Sequence, residues 1–175
     1  MRRFVNPGNT AFEVAVNSQI YVDKTGLLAY TNSVINTKQA LICSSRPRRF
    51  GKSITADMLC AYYSRGCDSD SIFASYEIAK SDSYKKYLNQ YDVIYLDIQW
   101  CMMDAGSAEQ TVSYLNYHVI EELKEIYPQI LLDGIRTAYG AMSCINAQTG
   151  VKFIVIIDEW DVLIRDEAAN EAVLQ

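Results

Sequence analysis

Two stretches constrain the fold most: VIYLDI at residues 93–98 and FIVII at residues 153–157, short apolar runs rich in β-branched or aromatic side chains. An uninterrupted run cannot hide its side chains by alternation, so each predicts a strand covered on both faces. A third run of this kind, ALICS, stands at residues 40–44. Elsewhere the apolar period becomes helical. After Gly51, the residues Ile54, Met58, Leu59 and Tyr62 recur at that spacing until Gly66 supplies a stop. From Ser107, the residues Val112, Leu115, Val119, Leu123 and Ile126 mark one face of a long helix, with Ser107-x-x-Gln110 as a capping box and Pro128 near its end. A weaker helix is expected around 135–145. Strands alternating with helices imply an α/β fold: a parallel sheet flanked by helices, with ligands at the carboxyl ends of the strands.

The remaining segments read more faintly. AFEVAVNSQIYVD predicts a β element, KTGLLAYTN a short helix, and the serine-rich stretch 67–90 a loop with one or two short helices around Ile72, Phe73 and Tyr76. With 175 residues, half of them apolar, the chain can bury one proper core, the size of a single domain or part of a larger one. No run approaches the length of a membrane span, and MRRFVNPGNT lacks the apolar middle of a signal peptide, so a cytoplasmic protein is expected. A net charge of −5 argues against a broad nucleic-acid-binding surface, although RPRR concentrates positive charge locally. The five cysteines are scattered without a CxxC pair and read as buried free thiols. The single histidine, His118, has no ligand partner at metal-binding spacing and reads as a partly exposed helix residue. The thirteen tyrosines read as core and surface amphipaths.

Two motifs carry chemistry. Gly51-Lys52-Ser53 stands where the run at 40–44 hands over to a helix, and a helix N-terminus offers unpaired N–H groups and positive potential to a phosphate. Gly51 lets the backbone approach the β-phosphate, Lys52 extends a fixed charge to the β- and γ-phosphates, and the Ser53 hydroxyl can ligate Mg²⁺. The triplet alone is weak. About a hundred residues on, IIDEWD sets Asp158 at the end of an apolar strand, where its carboxylate can hold the magnesium shell, with Glu159 beside it to orient or deprotonate a water. The plainer alternative is that Asp158 or Asp161 caps the following helix VLIRDEAANEA. The two motifs together, in this order and each at a strand end, favour a nucleotide site.

YVDKT (21–25), SRPRRFGKS (45–53), VIYLD (93–97) and IIDEWD (156–161) resemble the signature blocks of the bacterial AAA-ATPase-like proteins, P-loop ATPases that often carry a PD-(D/E)XK nuclease-like domain downstream. That resemblance implies a P-loop NTPase-type sheet, incomplete at the C-terminus, with an N-terminal extension over 1–36 and a nucleotide-binding core over 37–175. It also implies that Arg46 stands where the usual Walker A loop has its first glycine. Arg46 cannot adopt positive φ cheaply, and Pro47 biases it toward extended geometry. A variant loop follows, in which residues 50–54 (Phe50 to Ile54) cradle phosphate and one of Arg46, Arg48 or Arg49 adds a bidentate grip, unless these arginines are simply solvated or paired with acids. The YVDKT block is expected near the base or ribose, with Asp23 as an N-cap, and Asp97 and Gln99 at the second strand's end could reach the γ-phosphate.

Three functions stay open. An ATPase would use Lys52 and Glu159 catalytically, with Mg²⁺ on Ser53 and Asp158, and would drive a nuclease-like neighbour in the full-length protein, with nucleic acid as that domain's target and self-association possible; residues 1–175 alone are expected to hydrolyse little or no ATP. A nucleotide-gated interaction module would bind without turnover. A small-molecule phosphotransferase is less attractive because no acceptor residues stand out.

Overall fold

In the computed structural model, which describes residues 3–45 and 50–165, the chain divides into two units. One is Asn6–Val93; the other joins residues 3–5 to those from 94 onward. The first unit is helical: α1 (Thr10–Val16), α2 (Gly26–Val34), α3 (Lys52–Tyr63), then α4 (Asp70–Phe73), a 3-10 turn (Glu77–Lys80) and α5 (Tyr84–Tyr87). Its core is aromatic. Phe12 of α1 stacks on Phe73 with centroids 5.1 Å apart, and Phe73 meets the edge of Tyr62 at 5.3 Å. Burying tyrosines requires partners for their hydroxyls. Asn32 supplies them, donating to the Tyr62 hydroxyl at 3.0 Å and accepting from that of Tyr63 at 2.7 Å, while Tyr62 donates to the Tyr84 carbonyl at 2.8 Å. Burial pushes the Tyr62 phenol up to about 12.

Strand β1 (Asp92–Asp97) crosses from the first unit into the second, followed by α6 (Ile98–Ala105), α7 (Ala108–Ile126), α8 (Ala138–Thr149) and β2 (Phe153–Asp158). Strands β1 and β2 pair in parallel and are flanked by helices, an α/β arrangement. Each helix starts on a side-chain oxygen: Asp97 accepts from Trp100 N–H, Ser107 from Gln110 N–H and Thr137 from Gly140 N–H. Ile94, Val119, Leu123, Ala141 and Ile145 meet in the core, joined by Phe4 and Val5. Glu122 of α7 holds that N-terminal stub, accepting the N–H groups of Arg3, Phe4 and Val5 at 2.7–2.9 Å.

Several expectations need correction. Residues 40–44 form no strand; Leu41 is 95% exposed and Cys43 is exposed too, so that cysteine is not a buried thiol. An apolar run becomes a strand only where a neighbour pairs its N–H and C=O groups, and among the described residues the sheet holds β1 and β2 alone. The AFEVAV segment is helix α1, because Phe12 alone of that stretch is buried and Val14 points outward. On the helices, Ile54 and Val112 are exposed, and the buried face of α7 runs through Thr111, Val119, Ile120 and Leu123. Strand β2 is covered on one side only, since Val155 and Ile157 are about half exposed. Residue 98 opens α6, so Gln99 is helical and does not end a strand. His118 is half-buried on α7, its ring centroid 4.2 Å from that of Tyr114.

Candidate functional site

In the first unit the expected phosphate-binding turn takes the shape its glycine allows. Gly51 is left-handed, with φ 73° and ψ 36°, and serves as the N-cap of α3. A side chain here would strain the backbone, and a Cβ would lie 2.8 Å from the Lys24 ammonium. The Gly51 carbonyl accepts both the Thr55 N–H, at 3.0 Å, and the Thr55 hydroxyl, at 2.9 Å, so the first turn closes firmly. Among the described residues no side chain caps the α3 N-terminus, and no acid stands in its first turn. The early N–H groups of a helix have no partner within it, and they form the positive end of its dipole. Lys52 is half-buried, whereas Phe50, Ser53 and Ile54 are exposed. Arg46, Arg48 and Arg49 lie outside the described residues.

The YVDKT block meets this turn directly. The Lys24 ammonium donates to the Phe50 carbonyl at 2.9 Å. Asp23 is not the N-cap of α2, which is Thr25; its carboxylate instead accepts the N–H of Thr25 at 2.8 Å and of Glu77 at 2.9 Å. Burial works against the charge on Asp23, but those two N–H groups, with the Thr25 hydroxyl and the Lys80 charge, together hold the carboxyl below its usual value. No local signal places Lys24 at this turn; the block was expected near the base or ribose, and its lysine meets the Phe50 carbonyl.

In the second unit, carboxylates gather at the C-terminal ends of the paired strands. Asp158 ends β2 and is 7% exposed. Its Oδ1 accepts the Glu159 N–H at 3.0 Å, while Oδ2 is buried and has no hydrogen-bond partner among the described residues. No side-chain cap onto a following helix is formed by Asp158 or Asp161 among those residues; Asp161 pairs with Arg165 at 3.1 Å. Glu159 takes φ 50° and accepts from Arg165 at 3.3 Å. Asp97, at the end of β1, caps α6 at 3.0 Å. Burial raises the Asp97 carboxyl above its usual value, and the negative charges of Asp158 and Glu159 add to that rise against the Trp100 N–H. This acid triad was not foreseen, because a strand pairing had to bring 97 beside 158.

A buried oxygen is unfavourable until a donor or a cation meets it, and Asp158 Oδ2 is one oxygen of the kind Mg²⁺ takes, although no group of three or more His, Cys, Asp or Glu among the described residues is placed to hold a metal. The class defined by these features is an α/β protein with carboxylates at its strand ends and a helix that opens on a left-handed glycine. The family model described as Predicted AAA-ATPase (AAA-ATPase-like) matches residues 8–175, and the chain belongs to that family. It is, at that level, a nucleotide-binding, ATPase-like domain. No curated protein and no solved structure gave a significant match. No helix among the described residues is long and apolar enough to cross a membrane.

Proposed function

We propose that the domain binds ATP with Mg²⁺ and hydrolyses it. The observation that carries this reading is the buried, unpartnered Asp158 Oδ2 at a strand end, in a member of an ATPase-like family. Gly51, the first-turn N–H groups of α3 and Lys52 receive the phosphates, flanked by Phe50 and Ile54, with Arg46, Arg48 or Arg49 adding a bidentate contact. Asp158 would offer an oxygen to Mg²⁺, with Ser53 the further ligand that the Gly51-Lys52-Ser53 motif implies, and the ion would neutralise phosphate charge when bound. Glu159 takes a proton from water as the water oxygen attacks the γ-phosphorus. The bond from that phosphorus to the bridging oxygen breaks, and ADP leaves with its charge countered by Lys52. The core over 37–175 and the extension over 1–36 would then act together in the cytoplasm, and the nuclease-like domain implied by the resemblance would be what turnover regulates.

A second reading, a nucleotide-gated module without turnover, has one observation behind it: Glu159 is already engaged by Arg165. Phosphate release separates the two. Replacing Glu159 with Gln should abolish hydrolysis and keep binding if the domain is an ATPase; a parent without hydrolysis favours the module. The site itself is tested by thermal shift. ATP–Mg²⁺ at a hundred times its Kd should stabilise the parent by about 2.7 kcal/mol, with little effect on Lys52→Ala. Equal shifts would remove Lys52 from the phosphate site.

A further inference from the structure

The chain around Lys24 is tied down on both sides. Asp23 accepts the N–H groups of Thr25 and Glu77, buried Thr25 accepts that of Ile78 through its hydroxyl at 3.1 Å, and the Lys24 carbonyl accepts that of Leu27 at 3.0 Å. Lys24 itself is exposed. An exposed lysine ordinarily keeps its rotamer freedom in water. This one reaches a residue 26 positions away, donating to the Phe50 carbonyl at 2.9 Å beside Gly51. Among the described residues one of its three N–H donors is engaged, at Phe50, which leaves two for an anion. The ammonium also sits near the positive end of α3, whose first turn carries Lys52 and no acidic residue. Such like polarity is unfavourable until negative charge arrives.

The geometry points to Lys24 as a second phosphate-contacting lysine: from its fixed base it holds the Phe50–Gly51 turn and meets a polyphosphate oxygen alongside Lys52. This rests on the nucleotide reading above and assigns it a further residue. Isothermal titration calorimetry of ATP–Mg²⁺, and separately of inorganic tripolyphosphate, tests it on the whole chain as parent, Lys24→Ala, Lys24→Arg and Lys52→Ala, each first checked for a parent-like circular-dichroism melt.

Lys24→Ala should bind both ligands about tenfold to a hundredfold more weakly, the range for a hydrogen bond to a charged group. Its affinity should fall less steeply with salt, and Lys24→Arg should recover most of the loss. If Lys52→Ala weakens binding while Lys24→Ala stays within twofold of the parent, this inference fails and the nucleotide reading stands. A weaker Lys24→Ala with an unchanged salt dependence makes the residue a brace for the turn alone and also overturns it. A parent that binds neither ligand overturns the nucleotide reading, and this inference with it.

Discussion

Removing the charge at Asp158 should make the protein more stable without nucleotide and less stable with it. The carboxylate is 7% exposed, one oxygen is buried with no partner among the described residues, and its charge helps to raise the Asp97 carboxyl. A buried unsatisfied polar group costs about 1–3 kcal/mol. Asn at this position still accepts the Glu159 N–H but leaves a neutral amide in place of the orphan oxygen, so part of that cost remains. A gain of about 1 kcal/mol follows, or about 2–4 °C in Tm for a chain of this size. Saturating ATP–Mg²⁺ should then raise the parent by about 2.7 kcal/mol at a hundred times Kd and the variant by far less, so the two melting curves exchange order. Both tryptophans, Trp100 and Trp160, lie in the second unit, close in sequence to Asp97 and Asp158, so intrinsic fluorescence follows the unit concerned. An Asp158→Asn variant that melts below the parent without ligand would refute the claim that this oxygen is a standing cost. An undiminished ligand shift would refute its role in holding the metal.

Asp97→Asn should keep the α6 cap and lose the acid repulsion. A carboxyl whose folded pKa is raised adds stability below its unfolded value, near 3.9, and loses it as pH rises through the folded value. Stability of the parent relative to this variant should therefore fall as pH rises across that interval, measured by urea unfolding at several pH values, and Asp97→Ala should cost about 1 kcal/mol more than Asp97→Asn through the lost cap. Phe73→Ala should cost about 3–5 kcal/mol in the first unit, since its ring is fully buried between Phe12 and Tyr62, read as a lower urea midpoint by circular dichroism.

What was legible in the sequence is what depends on neighbours along the chain. Both paired strands, the cap at Ser107, and α2, α3 and α7 follow from local period and end signals. The run at 40–44 misled because its apolarity says nothing about whether a partner strand is present, and α1 misled because alternation over six residues is as compatible with one buried phenylalanine as with a strand face. Long-range placement was out of reach for the same reason. Nothing near Lys24 in sequence indicates Phe50, and nothing near Asp97 indicates Asp158; those neighbours exist because Asp23 and Thr25 fasten to the turn at 77–80 and because β1 pairs with β2.

The departures from local rules fall where chemistry was expected. Four non-glycine residues among those described have positive φ, and three are Asn, which tolerates that region. The fourth is Glu159. Beside it, Asp158 carries the orphan oxygen, and in the other unit α3 opens on a left-handed Gly51 with lysine charge against its positive end. By contrast the core tyrosines near Asn32 have their hydroxyls satisfied, so the chain is able to place polar groups well. Strain concentrated on a few polar residues is retained when a ligand relieves it. An anion would offset the lysines and a cation would meet Asp158, so ligand-free protein should be least protected from amide exchange at 50–54 and 158–161, and nucleotide with Mg²⁺ should protect both segments together. Protection of only one segment would separate the two halves of the reading.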